Sequence, residues 1–374
     1  MTVSDDRRHM ARALQLAERG LYSTDPNPRV GCVIVAAGEV VGEGWHERAG
    51  GPHAEVHALQ AAGDRALGAT AYVTLEPCSH HGRTPPCADA LIRAGIARVV
   101  VAMEDPNPQV AGGGLQRLSD AGIDVESGLM AAQAEALNPG FLKRMRTGRP
   151  FVRVKIAASL DGRTAMASGE SHWITGPAAR ADVQRLRARN SAIVTGIGTL
   201  LADHPALTVR EAEMGDLGDH ASPGRQPLRV VLDSRLRSPL DAPLFQPAGD
   251  RAVLTTRDSL QNHPVPAAAL RSAGVLVDAL GETEIVDLAV VLGWLGARGC
   301  NEVLVEAGPT LAGAFLSAGL VDEFWLYQAP VLLGSEARPL VDLPIQQMAE
   351  RLRLKVLDRR MVGQDQRLIL GFGE

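Results

Sequence analysis

The feature that most constrains this chain is a split cluster: His53-Ala54-Glu55, then Glu76-Pro77-Cys78, then Pro86-Cys87. One histidine and two cysteines make a zinc set with a coordination position left over. Structural zinc sites usually close their shell with four protein ligands, whereas catalytic ones keep a place for water or substrate. His53, Cys78 and Cys87 are therefore read as ligands of a zinc-hydroxide enzyme. Zinc brings the pKa of bound water from about 15.7 to about 7. Glu55, two residues beyond the histidine, is spaced to take a proton from that water and pass it to a departing group.

The flanking residues suit this reading. Gly51-Pro52 ends a loop, and His53 begins a helical run that stops near Gly63. Ala69 to Leu75 reads as a buried strand that delivers Cys78 at its C-terminal end. Pro85-Pro86 starts a helix with Cys87 in its first turn, where the helix terminus favours a thiolate. Histidine and glutamate are ordinary helix residues, and two cysteines alone could be buried small hydrophobes; the combination carries the specificity. His57 shares a helix face with His53 and is either a rival ligand or a packing residue. The arrangement is that of zinc base deaminases, H-x-E…P-C-x-x-C, except that eight residues rather than two separate the cysteines.

At 374 residues the chain should hold two or three domains, each large enough for its own core. Hydrophobic content of 45% with 22% charged residues is that of an ordinary soluble globule. The polar start, Met1 to Arg8, has no apolar signal region, and the apolar stretch Ile285 to Ala297 is interrupted by Asp287. A cytoplasmic protein with no membrane partner is expected. Cys32 and Cys300 sit in apolar contexts as core residues, so no disulfide framework is expected. A net charge of -5, no basic block and only 3% aromatics argue for a small substrate over a nucleic acid.

The chain divides near Thr147-Gly148-Arg149-Pro150. Before it, strands alternate with helices, which implies an α/β domain around a central sheet. After it the alternation restarts: apolar runs at Ser191 to Val194, Leu228 to Leu232, Ala252 to Leu254 and Glu302 to Val305 read as buried parallel strands. Period-two stretches between Leu352 and Phe372 suggest further strands, and the polar Glu211 to Pro227 segment reads as a mobile surface loop. Lysines are scarce (Lys143, Lys155, Lys355), and Lys155 lies late in an apparent strand. A buried lysine can shift its pKa and donate a proton; an exposed one is a surface charge. Gly196-Ile197-Gly198-Thr199-Leu200-Leu201 lacks the last glycine of a dinucleotide loop. Glu306-Ala307-Gly308-Pro309-Thr310 follows a strand and opens a helix, where free N–H groups can hold phosphate.

The strings Pro26-Asn27-Pro28-Arg29-Val30-Gly31-Cys32, His53-Ala54-Glu55 and Thr74-Leu75-Glu76-Pro77-Cys78 through Pro86-Cys87 resemble one family closely, the bifunctional deaminase/reductases of riboflavin biosynthesis. The eight-residue spacer is that family's own form. Lys155 to Arg163, Ser171 to Thr175, Asp203 to Arg210 and Glu306 to Thr310 agree. The resemblance implies an α/β fold with a cytidine-deaminase-like three-layer domain at 1–147 and a dihydrofolate-reductase-like domain at 148–374. It implies zinc on His53, Cys78 and Cys87, proton transfer by Glu55, and Asn27, His46 and Arg83 against the pyrimidine and its phosphate. In the second half it implies Lys155 and Glu306 as catalytic. NADPH would lie against Ala157, Trp173, Thr199, Asp203, Ser234 and the turn Gly308, Pro309, Thr310, Leu311, Ala312, Gly313, Ala314. Ser171, Arg187, Leu207, Arg210 and Glu306 would face substrate. A homo-oligomer is expected by analogy. The rival readings are a nucleoside or RNA deaminase with a non-catalytic second half, and a ligand sensor built on both folds.

Overall fold

In this computed structural model, residues 3–79, 85–107, 111–281 and 284–373 are described. Arg83 lies outside them. The chain separates into two units, Met1–Gly148 with Leu217–Ser222, and Arg149–Asp216 with Pro223–Glu374.

The first unit runs α1 (Val3–Glu18), β1 (Gly31–Ala36), β2 (Glu39–Trp45), α2 (Ala54–Ala62), β3 (Thr70–Val73) and α3 (Cys87–Arg93). It continues with β4 (Arg98–Val101), α4 (Gly113–Asp120), β5 (Asp124–Ser127), α5 (Ala131–Leu137) and α6 (Pro139–Thr147). The strands form one sheet in the order β2-β1-β3-β4-β5, antiparallel around β1 and parallel from β3 onward. Successive strand residues point to opposite faces, so the sheet feeds two cores. One gathers Ile34, Val73 and Val99 under Ala54, Ala58, Leu91 and Leu118 of α2, α3 and α4. The other gathers Val33, Tyr72 and Val100 under Met10, Ala13, Phe141 and Leu142 of α1 and α6. Helices α5 and α6 are additions to the sequence reading; their segment lacks the long apolar period of a confident helix.

Small residues bring α2 against the sheet. A Cβ at Gly44 would lie 2.4 Å from the Ala54 carbonyl oxygen and 2.5 Å from the Ala58 nitrogen. Because both neighbours are backbone, neither can move without shifting the helix that carries Glu55.

The second unit contains β6 (Phe151–Ser159), β7 (Arg163–Ala165), α7 (Pro177–Arg189), β8 (Ala192–Gly196), α8 (Ile197–Asp203), β9 (Leu228–Leu232), β10 (Arg251–Thr255), α9 (Arg257–Asn262) and α10 (Pro264–Ser272). Then come β11 (Leu276–Ala279), α11 (Leu288–Ala297), β12 (Glu302–Glu306), α12 (Pro309–Ser317), β13 (Glu323–Ala329), β14 (Arg338–Pro339), β15 (Leu354–Val362) and β16 (Asp365–Phe372). Nine strands form a sheet in the order β11-β10-β9-β8-β12-β6-β13-β16-β15, and β14 pairs with β7. The sheet is parallel from β11 to β13 and antiparallel in the final hairpin. Val291, Leu292 and Phe315 of α11 and α12 cover one face; Val183, Leu186 and Leu270 of α7 and α10 cover the other.

The expected surface loop at 211–227 carries anchors to its surroundings. Met214 is fully buried. The Gln226 side chain accepts from the Val209 N–H (2.8 Å) and donates to the Val209 carbonyl (2.9 Å). Polar composition concealed these anchors.

Replacing Gly44 by alanine should lower stability by at least about 1–3 kcal/mol through overpacking. Gly293→Ala, in α11 with nothing within 4 Å of its ideal Cβ, should be neutral or stabilising by up to about 1 kcal/mol. Urea unfolding of both variants measures the contrast.

Candidate active sites

The three soft ligands are brought together in the first unit. The ligand atoms of His53, Cys78 and Cys87 all lie within 4.8 Å of one another. His53 Nδ1 is 3.2 Å from Cys87 Sγ and 3.7 Å from Cys78 Sγ. The Cys87 backbone N–H, at the start of α3, donates to Cys78 Sγ (3.3 Å). A hydrogen bond from the Cys87 thiol pulls the Cys78 pKa down to about 4, while the same bond and burial push Cys87 up. His53 is raised, first by its bond to Cys78. An imidazole and two sulfurs at this spacing fit zinc with a coordination position to spare. His57 stays outside the cluster and packs beside Gly44.

Glu55 stands in the first turn of α2 and is only 3% exposed. Burial pushes its pKa up to about 7, with the charge of His53 opposing the rise. A carboxyl poised near neutrality can both take and give a proton.

Asn27 and His46 lie beside this cluster. The Asn27 amide donates to His46 Nε2 (3.0 Å), so His46 carries its proton on Nδ1 and donates it to the Pro52 carbonyl (3.0 Å). Burial lowers the His46 pKa and keeps the ring neutral. Its edge meets the His53 ring at 5.4 Å and 89°.

Sequence reasoning missed Glu76. Its buried carboxylate accepts four backbone N–H groups, from Gly114 (2.8 Å), Gly112 (3.0 Å), Asp105 (3.1 Å) and Leu115 (3.3 Å). These bonds fix the turn that presents Cys78. The signal was a carboxylate at the end of a fully buried strand, which needs partners from somewhere.

In the second unit a cleft of about 1460 Å³ opens over the C-terminal ends of the parallel strands. Lys155 and Glu306 are register partners on neighbouring strands, with Lys155 Nζ 3.6 Å from Glu306 Oε2. Arg187 holds the same carboxylate with a fork (2.6 and 3.0 Å) and gives a further N–H to the Thr208 carbonyl (3.1 Å). Burial favours the neutral acid, but Arg187 and Lys155 outweigh it and hold Glu306 at about 2. Burial lowers the Lys155 pKa from its ordinary value. Glu306 is therefore a fixed anion, and Lys155 is the group able to give up a proton. The oxygens of Glu306 go to Arg187 and Lys155 and not to the start of α12. Arg187, expected to face substrate, spends its fork on Glu306.

Ala157, Ser171, Trp173, Thr199, Asp203 and Ser234 line the cleft. So do Leu207, Arg210, Gly308, Pro309, Thr310, Leu311 and Ala314. Thr199 Oγ1 accepts from the Gly308 N–H (3.0 Å), joining two strand-end turns, and Ser171 donates to Asp203 (3.3 Å). Ser234 Oγ accepts from the Val286 N–H (3.1 Å). Leu207 (φ 50°) holds a left-handed conformation uncommon outside glycine, which costs energy and recurs at functional sites. Two members of the α12 turn fall elsewhere. Ala312 is fully buried in the core, and a Cβ at Gly313 would sit 1.9 Å from the Asp342 carbonyl oxygen. Helical geometry turns these two positions away from the cleft while Thr310, Leu311 and Ala314 face it. The volume exceeds the roughly 300–1,000 Å³ of a drug-sized site, and so suits a dinucleotide such as NADPH together with a second ligand.

The low Glu306 pKa has a sign. Its stabilisation is present above the ordinary value of 4.5 and is lost as pH falls from there toward about 2. Glu306→Gln should flatten that part of the acid decline. At pH 7 it should cost about 3–5 kcal/mol by leaving two buried cations without their carboxylate. Urea unfolding across a pH series checks both.

Comparison with known proteins agrees with the geometry. A model of the cytidine and deoxycytidylate deaminase zinc-binding region matches residues 3–103, and a model of the RibD C-terminal domain matches residues 150–367. Riboflavin biosynthesis protein RibD of Escherichia coli (strain K12) is 56% identical over 364 residues, 96% of this chain and 97% of that one. A structure of Acinetobacter baumannii RibD superposes with a TM-score of 0.89 at 49% identity, with both chains covered in full. The Thermotoga maritima diaminohydroxyphosphoribosylaminopyrimidine deaminase/5-amino-6-(5-phosphoribosylamino)uracil reductase gives a TM-score of 0.84 at 31% identity over 99% of each chain. With likeness of this degree along nearly its whole length, the chain belongs to the RibD family of riboflavin biosynthesis proteins.

Proposed function

We propose that the chain performs two successive reactions on one phosphorylated pyrimidine. The first removes the 2-amino group of 2,5-diamino-6-(5-phosphoribosylamino)pyrimidin-4-one by hydrolysis. The second reduces the ribosyl group of the product to ribityl with NADPH. Met1–Gly148 is the deaminase and the unit from Arg149 onward is the reductase. The observation that carries this reading is the buried Glu55 beside the His53, Cys78 and Cys87 cluster.

In the deaminase, His53, Cys78 and Cys87 hold zinc. When bound, zinc supplies the Lewis acidity that makes water nucleophilic at neutral pH. Glu55 does the proton work: hydrolysis forms a C–O bond, breaks the C–N bond and moves a proton from water to the leaving nitrogen. A carboxyl near pKa 7 can serve both ends of that transfer. Asn27 and His46, locked to each other, form a neutral polar edge for the pyrimidine, and the Nδ1 tautomer leaves no positive charge there.

In the reductase, NADPH supplies the hydride when bound. Lys155 holds the matching proton for the opened sugar, and Glu306 keeps Lys155 in place while Arg187 keeps Glu306 charged. Arg210 faces substrate; Thr199, Asp203, Ser234 and the Gly308 to Leu311 turn face the cofactor.

A nucleoside or RNA deaminase with an inert second half is disfavoured by the Lys155, Glu306 and Arg187 constellation, which a passive binding module would not require. A net charge of -5 gives no support to nucleic-acid binding. No described helix is long and apolar enough to cross a membrane. Cys32, Cys78, Cys87 and Cys300 form no disulfide, which suits the reducing cytoplasm. Self-association is supported by the edge strand β15, which exposes Leu354, Val356, Leu357 and Met361.

The two chemistries should separate by mutation. Glu55→Gln should cut ammonia release about 100–10,000-fold while zinc content and NADPH oxidation on pre-deaminated substrate persist. Lys155→Met should do the reverse. Parallel assays of ammonia, NADPH absorbance and bound zinc test the split, and loss of both activities in either variant would contradict it.

A further inference from the structure

Four arginines line the second unit's cleft: Arg180, Arg187, Arg210 and Arg338. Arg187 is committed to Glu306, and Arg210 to Glu213 (2.6 Å). Arg338 lies on the exposed strand β14, which pairs with β7. Arg180 differs from all three. It is half-buried near the start of α7, and its Nη1 donates to the Thr175 carbonyl (2.9 Å). Its guanidinium carbon sits 4.8 Å from the centre of the Trp173 ring, which is 68% exposed in the cleft. Among the described residues no carboxylate comes within ion-pair distance of Arg180. Glu213, whose carboxylate feels its charge, is already bonded by Arg210 and Gln184.

Arginine has five N–H donors in a rigid fork that matches phosphate oxygens. Here one donor is spent on a carbonyl, and the aromatic ring fixes the plane of the fork. The charge is thus oriented in advance without being neutralised. Lining a cleft, such a group lacks only its anion. Both proposed ligands of this cleft carry phosphate: the pyrimidine substrate at its 5′ position, and NADPH at its 2′ position.

We propose that Arg180 binds a phosphate monoester in the reductase cleft, and that Trp173 and the Thr175 carbonyl set its guanidinium for that task. The assignment rests on the reductase reading of the second unit. It makes Arg180 a binding residue and Thr175 a positioning one, with no part in proton transfer.

The test uses the full chain with Arg180→Gln and Arg180→Lys. Calorimetry compares NADP⁺ with NAD⁺, and the deaminated ribosylamino 5′-phosphate with its dephosphorylated form; steady-state kinetics follow the same pairs with NADPH and NADH. Arg180→Gln should weaken one phosphorylated ligand about 10–100-fold, the scale of a charged hydrogen bond. Its dephosphorylated counterpart should bind as in the wild type, with the loss appearing in KM rather than kcat. Arg180→Lys should recover part of the loss, keeping the charge without the fork. A loss on NADP⁺ assigns the 2′-phosphate; a loss on the substrate assigns the 5′-phosphate. Equal losses with and without phosphate, or no loss on either ligand in variants that keep the wild-type unfolding midpoint, would overturn the proposal. A wild-type chain that binds NADP⁺ but never oxidises NADPH would instead defeat the reductase reading, and the binding comparison would still stand.

Discussion

Each unit keeps ionisable groups away from water beside the ends of its strands, and the surrounding packing is arranged around that cost. In the first unit α2, which carries the buried Glu55, lies so close to β2 that Gly44 has no room for a methyl group. In the second, parallel pairing of β6 with β12 sets Lys155 against Glu306, and Arg187 closes on them from α7. A buried charge without a partner is strongly unfavourable. The two units answer that penalty in opposite ways, and their chemistry follows from the difference.

Glu55 and Glu306 are the same residue type, both buried, yet one is held near 7 and the other near 2. At Glu55 burial dominates, and the carboxyl can accept or release a proton. Glu306 has two cations within reach, so it stays ionised and becomes scaffold. In the proposed reduction the proton then comes from Lys155.

Much of the deaminase site was legible because its residues lie in short runs on predictable elements. His53 and Glu55 open a helix, Cys78 follows a buried strand, and Cys87 starts another helix. The reductase site is assembled from further apart. Arg187 and Glu306 are 119 residues apart in sequence, and nothing local signals that they meet, so Arg187 was read only as a substrate contact. The Gly308 to Ala314 run was read as one binding turn, whereas helical periodicity sends Ala312 and Gly313 into the interior. Glu76 stood in its motif without a role; only the fold reveals the four N–H groups that converge on it. In the 211–227 segment, Gly and Asp content masked the buried Met214 anchor.

The central claim is that two chemistries act in order on one metabolite. Its most direct test gives zinc-loaded wild-type protein the diaminopyrimidinone ribosylamino 5′-phosphate and follows ammonia and NADPH in the same cuvette. The account predicts that ammonia appears first and that NADPH oxidation follows, approaching one equivalent per ammonia. NADPH oxidation with no release of ammonia, or ammonia with no oxidation of either NADPH or NADH, would contradict it.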